Sequence, residues 1–141
     1  MKFDISTIVF FTSMMFLALT LILFVEYKIN KTDKGLGWWV VGTLMQGVGF
    51  FLMLALTIRP IRMLSIFANP IVCAGQIAIN IGILRFLERK ERISTQIVIF
   101  ALFLAVYNYF IFIKLSISGR TVAISVFMIV NAIQIAVNLL R

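Results

Sequence analysis

The sequence predicts an all-α integral membrane protein that folds as a single domain, a five-helix transmembrane bundle. Hydrophobic residues make up 62% of the 141 residues, charged residues only 13%, and the mean hydropathy is +1.11. Soluble domains carry about 25% charged residues, so this composition is typical of a membrane protein. Five apolar runs have roughly the 20 residues that a membrane-crossing helix needs. They are expected at residues 5–25, 38–58, 63–87, 96–115 and 121–140.

The first span follows a short charged N-terminus and has no small-residue cleavage site, so we expect a retained helix and not a signal peptide. Ser6, Ser13 and Thr20 recur along it at seven-residue spacing. Hydroxyls repeated in this way lie on one side of a helix and indicate a face that packs closely against a neighbour.

The second span begins beside the motif GLGWW. Trp38 and Trp39 are expected at the membrane interface, where the apolar part of an indole ring meets lipid and its N–H meets water. Further along, Gly42, Gln46 and Gly49 share one helical face. The glycines allow another backbone to approach closely, and the Gln46 amide can form a hydrogen bond across that interface.

The third span carries a polar stripe along an otherwise apolar helix. Four side chains spaced by four, three and four residues stack on one of its faces. They are Asn69, Cys73, Gln76 and Asn80. A polar side chain facing lipid tails has no hydrogen-bond partner, so we expect this face to point at other helices or at a cavity.

Pro70 lies within the third span and permits two interpretations. Inside one continuous helix it removes the hydrogen bond to the Ile66 carbonyl oxygen and favours a kink. Alternatively, Asn69 caps and Pro70 opens a shorter helix, with residues 61–68 forming a separate piece at the interface. We favour one continuous, kinked helix.

The fourth span is rich in aromatic residues and ends near Lys114, whose side chain can extend to the head groups. Gly119 is expected to break the chain before the fifth span. The fifth span has a second polar stripe, made of Asn131, Gln134 and Asn138. We expect the stripes of the third and fifth helices to touch or to enclose something between them.

Basic residues set the expected orientation. With the N-terminus outside, the outer segments hold five Lys and Arg residues and the inner segments hold eight. The positive-inside rule therefore predicts an N-out, C-in topology. Arg59 and Arg85, which flank the third span, are expected to anchor the helices at the head groups together with Trp38 and Trp39. Because the basic residues lie between apolar runs, the expected partner is the lipid bilayer and not nucleic acid.

The residue types of common active sites are missing from the spans. The sequence has no His, one Cys and five acidic residues, and none of the acids falls inside a predicted span. This pattern argues against metal-ligand sets, Ser/His/Asp or Cys/His arrangements and paired intramembrane carboxylates. We therefore expect no enzyme active site, metal or cofactor in this chain.

Uncharged amides are the remaining candidates for a site. They could line a pocket for a small polar or amphipathic ligand, or they could bond to one another and fix helix register, each worth about 1 kcal/mol. A gap too wide for direct hydrogen bonds would favour the pocket. The candidates are Asn69, Gln76, Asn80, Asn131, Gln134 and Asn138.

Several motifs occur in one order along the chain: GLGWW, Gly42, Arg59-Pro60, SIFAN, Gly75, Gly82 and Arg85-Phe86. In this arrangement the chain resembles the amino-terminal membrane region of bacterial GGDEF-type diguanylate cyclases, as the first five spans of that region. The resemblance implies a sensor and anchor in the bacterial cytoplasmic membrane that signals to a cytoplasmic domain making cyclic di-GMP. It also implies a dimer or higher oligomer, because paired output domains need one.

The chain departs from that family in two respects. It contains no GGDEF sequence, and Pro70 follows the Ala-Asn pair. The resemblance therefore implies the sensor role and not cyclase activity. We expect either an excised or truncated membrane region or a stand-alone relative.

The leading functional hypothesis is a five-helix membrane sensory and anchoring module that self-associates. One alternative is a small transporter or channel subunit that binds a neutral solute on the amide stripes. The lack of an internal repeat argues against it, because many transporters are built from duplicated halves. The other alternative is a structural or assembly protein whose stripes bind only partner helices.

Overall fold

The computed structural model describes residues 4–30, 34–58, 62–89 and 93–140. Within these ranges the chain forms five α-helices, each long and apolar enough to cross a membrane. They confirm the predicted all-α, five-span architecture. The helices are α1 (Ile5–Ile29), α2 (Leu36–Ile58), α3 (Arg62–Phe86), α4 (Ile93–Phe112) and α5 (Ile117–Leu140). Arg59, one of the expected interfacial anchors, lies outside the described residues.

The α1–α2 interface is joined by the hydroxyls that the seven-residue spacing singled out. The buried Ser13 hydroxyl donates to the Gly47 carbonyl oxygen at 3.0 Å. Two turns further on, the Thr20 hydroxyl lies 3.0 Å from the Thr43 hydroxyl. These contacts place hydrogen bonds inside the hydrocarbon region, where a lone hydroxyl would have no water to bond.

Small residues at matching positions bring α2 and α3 together. The two helices are antiparallel, so residues in ascending order on α2 meet residues in descending order on α3. Gly35 faces Gly82, Gly42 faces Gly75, and Gly49 faces the helical turn that contains Ala68. A Cβ added to Gly42 would lie 2.7 Å from the Gly75 carbonyl oxygen, and a Cβ on Gly75 would lie 2.7 Å from that of Gly42. The two backbones therefore touch, and these six residues form what we call the glycine seam.

The seven-residue repeat of the glycine seam follows from helix geometry. Positions seven apart return to nearly the same face after two turns, so one small residue in every seven clears a continuous strip. Position 35 requires glycine for a second reason, because its φ of +116° is accessible to glycine and costly for other residues. The seam makes α1–α2–α3 a closely packed unit.

The other side of α3 packs against α4 and α5 through an apolar cluster. Cys73 on α3 is fully buried against Phe103 and Tyr107 of α4 and Phe127 of α5. The Phe103 ring centroid is 4.8 Å from that of Phe127 and 5.5 Å from that of Tyr107. Helix α3 is thus the centre of the fold, with α2 on one side and the α4–α5 pair on the other.

An apolar groove of about 500 Å³ runs between α4 and α5 and reaches the aromatic rings of the cluster. Its lining includes Val106, Phe110, Gly119 and Val126, with almost no polar surface. Many large apolar side chains elsewhere on α4 and α5 are also exposed, as expected of surfaces that face lipid tails. The α4–α5 pair is therefore packed less closely than α2 on α3.

Helix α3 runs without interruption from Arg62 through Pro70 to Phe86. The interpretation in which Asn69 caps a shorter helix is therefore wrong, and the continuous helix is right. A proline inside a membrane helix is tolerated because neighbouring helices compensate for the lost backbone hydrogen bond.

The predicted break at Gly119 is also wrong. Helix α5 begins at Ile117, and the Gly119 backbone N–H donates to the Ser116 hydroxyl oxygen at 3.1 Å. Ser116 is therefore the N-cap, a position that serine fills well because its oxygen satisfies an otherwise unpaired helical N–H. Gly119 lies in the first turn, where the Phe110 ring packs against it.

Candidate functional site

The amides of the two stripes bond to several different helices. Asn69 on α3 donates through Nδ2 to the Tyr107 hydroxyl oxygen on α4 at 2.7 Å. Gln76, two turns further along α3, accepts through Oε1 from Gln46 Nε2 on α2 at 2.9 Å. The third-helix stripe therefore lies between α2 and the α4–α5 pair. Asn69 bonds to α4, and Gln76 bonds to α2.

Each member of the fifth-helix stripe has a different kind of hydrogen-bond partner. Gln134 Oε1 accepts from Gln96 Nε2 at 2.8 Å. Asn131 is fully buried, and its Nδ2 donates to the Phe127 carbonyl oxygen one turn earlier at 3.1 Å. Asn138 takes part through its backbone carbonyl oxygen, which accepts a hydrogen bond from the Arg89 guanidinium.

Asn80 differs from the other amides of its stripe. It is fully buried, and within the described part of the chain neither its Nδ2 nor its Oδ1 has a hydrogen-bond partner. The Asn131 Oδ1 and Gln96 Oε1 atoms are also buried and unpaired among the described residues. Four amide atoms thus lack partners in a region where water is scarce.

Helix register places Asn80, Gln96 and Asn131 at similar depth along the axis of the bundle. Cys73 and Phe127 touch in the apolar cluster, and α3 and α5 run in the same direction from there. Asn80 lies about 10 Å beyond Cys73, and Asn131 about 6 Å beyond Phe127, at 1.5 Å per residue. Gln134 lies one turn past Asn131 and holds Gln96 by its hydrogen bond.

We call Asn80, Gln96, Asn131 and Gln134 the amide cluster. Gln96 also lines a cleft of about 210 Å³ between α3 and α4, beside Ile77 and Ile81 of α3. The cluster therefore takes its side chains from α3, α4 and α5, on the side of α3 where the α4–α5 pair packs. Its side chains donate and accept hydrogen bonds without carrying charge, which suits an uncharged polar group and not an ion.

The amide cluster includes only part of the predicted set. Asn80, Asn131 and Gln134 belong to it, while Asn69 and Gln76 bond elsewhere and Asn138 contributes its backbone. Gln96 and Tyr107 were not among the predicted site residues. Gln96 had a usable signal, because a glutamine within an apolar span is costly without a partner. Tyr107 had none, since tyrosines are common in aromatic-rich spans.

The anchor residues Trp38 and Arg85 meet at one end of the bundle. The Arg85 guanidinium carbon lies 5.0 Å from the centroid of the half-buried Trp38 ring. Trp39 instead packs over Gly82, with its ring 5.6 Å from that of Phe86. Trp39 therefore belongs to the α2–α3 interface as much as to the membrane surface.

Metal binding finds no support in the described ranges. Nowhere in them do three His, Cys, Asp or Glu side chains lie close enough together to hold a metal ion. The lone Cys73 is buried in the apolar cluster, where it acts as a small apolar residue.

No protein-family model, curated protein or solved structure matches this chain. The structure does give a physical role to many of the residues that carry the resemblance to GGDEF-type membrane regions. Gly42, Gly75 and Gly82 belong to the glycine seam, and Trp39 and Phe86 pack beside it. These motifs therefore describe how α2 packs on α3, and the amide cluster lies apart from them.

The Asn69–Tyr107 bond is expected to support the fold. Replacing Tyr107 with phenylalanine leaves the half-buried Asn69 amide without this acceptor, so the free energy of unfolding should fall by about 1–2 kcal/mol. Tyr109→Phe is the matched control, because the Tyr109 side chain is 46% exposed. Unfolding in detergent micelles measures both. Equal stabilities for the two variants would contradict the assigned role of Tyr107.

Proposed function

We propose that this chain is a membrane-embedded sensory and anchoring module of the bacterial cytoplasmic membrane, with the amide cluster as its receiving site. In this proposal α1–α3 form the anchor and the α4–α5 pair responds to the stimulus. The resemblance to cyclase membrane regions and the N-out, C-in topology from the loop charges support it. The output is a cytoplasmic domain that makes cyclic di-GMP, and the module works as a dimer.

The observation that carries the proposal is a set of four buried amide atoms, at Asn80, Gln96 and Asn131, that have no hydrogen-bond partner among the described residues. A buried polar atom without a partner costs about 1–3 kcal/mol, so the observed arrangement holds free energy that another arrangement would release. A bound polar molecule or a shift of the helices would supply the missing partners. Either event changes how α4 and α5 pack on α3.

The packing of the helices allows such a change on one side only. The glycine seam fixes α2 on α3 by backbone contact, and side chains there have no room to rearrange. The α4–α5 pair has an open apolar groove between its helices, and its polar contact to α3 is incomplete. Movement of α5 would carry a signal to the membrane face that holds Asn138 and Arg89.

A fusion of this chain to a diguanylate cyclase domain tests the proposal. Asn131→Leu removes one polar member of the amide cluster, and we expect cyclic di-GMP output to change several-fold because the cluster sets the position of α5. Asn108→Leu is the matched control, since Asn108, like Asn131, donates to the carbonyl oxygen one turn earlier in its own helix but lies outside the amide cluster. Unchanged output from a folded Asn131→Leu fusion would argue against a sensory role for the cluster.

Binding of a neutral solute for transport is the second candidate function, and the uncharged character of the amide cluster favours it. Asparagine and glutamine side chains pair with hydroxyl and amide groups without needing a counter-ion. Uptake of small polyols or amides into liposomes containing the purified chain tests this alternative. Uptake that Asn80→Leu abolishes would support a transporter subunit over a sensor.

A further inference from the structure

The end of the bundle opposite Lys114 carries a basic cleft of about 550 Å³. Its walls come from the start of α2 and the end of α3, and include Lys34, Arg85, Glu88 and Arg89. Among the described residues that line it, three cations and one acid give a net charge of two positive. The acid is already engaged, because Glu88 Oε1 lies 3.1 Å from Lys34 Nζ on the exposed surface.

The turn that ends α3 holds these charges in place. Glu88 adopts a left-handed backbone with φ of +53°, and the Arg89 N–H donates to the Leu84 carbonyl oxygen at 2.9 Å. This geometry is the usual way for a helix to end, and it places Arg85 and Arg89 on either side of the turn. Arg89 also reaches the Asn138 carbonyl oxygen at the end of α5.

A second cleft of about 470 Å³ adjoins the first and has a different lining. The two share Gly35 and Arg85, and the second adds Tyr27, Trp38 and Val41. Tyr27 and Val41 are exposed along the lipid-facing side of α1 and α2. A charged compartment at the end of the helices thus continues into an apolar one along the spans.

We propose that the paired clefts bind one anionic phospholipid. Its phosphate group lies between Arg85, Arg89 and Lys34, and the upper part of an acyl chain lies along Trp38 and Val41. Arginine suits this task because its planar guanidinium offers parallel N–H groups to phosphate oxygens. Basic pockets between helices on the cytoplasmic side are known places for such head groups, and loop charges predict this end to be cytoplasmic.

Quenching by brominated lipids tests the site in the complete chain. The protein has two tryptophans, and Trp38 lines the cleft, so a brominated acyl chain bound there quenches its fluorescence. The chain is reconstituted in phosphatidylcholine bilayers with increasing brominated phosphatidylglycerol or brominated phosphatidylcholine. We expect the anionic lipid to associate more strongly than the zwitterionic one.

Charge variants give the expected direction of change. Arg85→Gln lowers the relative association constant of the anionic lipid by about fivefold, the worth of one cation near a membrane surface. Lys34→Gln removes a cation from a side chain that is 74% exposed, and it lowers the constant even if Arg85→Gln fails to fold. Glu88→Gln raises the constant by a similar factor. Lys114→Gln, at the other end of the bundle, leaves it unchanged.

Three outcomes overturn the proposal. Equal association of both lipids, or constants that do not respond to Lys34→Gln and Glu88→Gln, would exclude a phosphate site in the cleft. Addition of excess inorganic phosphate distinguishes a lipid from a soluble phosphate. A lipid bound through both its phosphate group and its acyl chain is not displaced by the free ion. Recovery of the fluorescence on adding phosphate would assign the cleft to a soluble phosphate and not to a lipid.

Discussion

Gly42→Ala is expected to destabilise the protein by about 3 kcal/mol, because the new methyl group overpacks a contact between two backbones. Its Cβ would lie 2.6 Å from Ile79 Cγ1 and 2.7 Å from the Gly75 carbonyl oxygen. Backbone atoms cannot rotate away as a flexible side chain can, so α2 and α3 must separate. Unfolding in detergent micelles, followed by far-UV circular dichroism, measures the loss.

Gly37→Ala is the matched control on the same helix. Its Cβ would lie 3.4 Å from the Tyr27 ring, an ordinary van der Waals distance. Both substitutions gain the same helix propensity, about 1 kcal/mol, so Gly37→Ala should be neutral or stabilising. If the two variants unfold alike, the backbone contact of the glycine seam is not what joins α2 to α3.

Asn80→Leu is expected to stabilise the fold by about 1–3 kcal/mol, although it replaces a fully buried polar residue. Both amide atoms of Asn80 lack partners in the described part of the chain, so leucine removes their desolvation cost and breaks no hydrogen bond. Leucine also has the same number of side-chain heavy atoms, branched at the same carbon, and a higher helix propensity. The free energy of unfolding in micelles checks the sign.

Gln76→Leu serves as the contrasting variant on the same stripe. It removes the acceptor of the 2.9 Å bond from Gln46, which leaves the buried Gln46 amide without that partner. We expect a loss of about 1–2 kcal/mol. A loss of similar size for Asn80→Leu would mean that Asn80 has a stabilising partner after all.

Hydropathy and helical periodicity were sufficient to predict the fold class, the five spans and the small-residue face of α2. They were not sufficient for the glycine seam. Gly42 and Gly49 could be assigned to one face from their spacing, but their partners on α3 depend on which helices are neighbours and in what register. The contact between Gly42 and Gly75 depends on how α2 and α3 are aligned, and the sequence of either helix alone does not determine that alignment.

The amide partners show the same limit. Helical spacing predicts that Asn69, Gln76 and Asn80 share one face of α3, and in the structure Asn80 is buried while Asn69 and Gln76 are half-buried. Their partners Tyr107 and Gln46 lie 38 and 30 residues away in sequence. A stripe at the boundary between two neighbouring helices can turn to either one, and helical spacing does not distinguish them.

Errors at helix ends had local causes. The break before α5 was predicted at Gly119, because glycine frequently breaks a helix. The Ser116 hydroxyl accepts the Gly119 N–H and starts the helix earlier. An N-cap serine competes with glycine as a boundary signal, and here the cap determines the first turn.

Cyclic di-GMP output from a fusion carrying Asn80→Leu, measured in parallel with the free energy of unfolding of the same variant, decides whether the amide cluster is the receiving site. If the unpaired amides are the receiving site, output changes several-fold while stability rises. Asn108→Leu, which removes an amide that lies outside the amide cluster and donates to the Leu104 carbonyl oxygen of α4, leaves output unchanged. A stable Asn80→Leu fusion whose output equals that of the unmodified fusion would contradict the account.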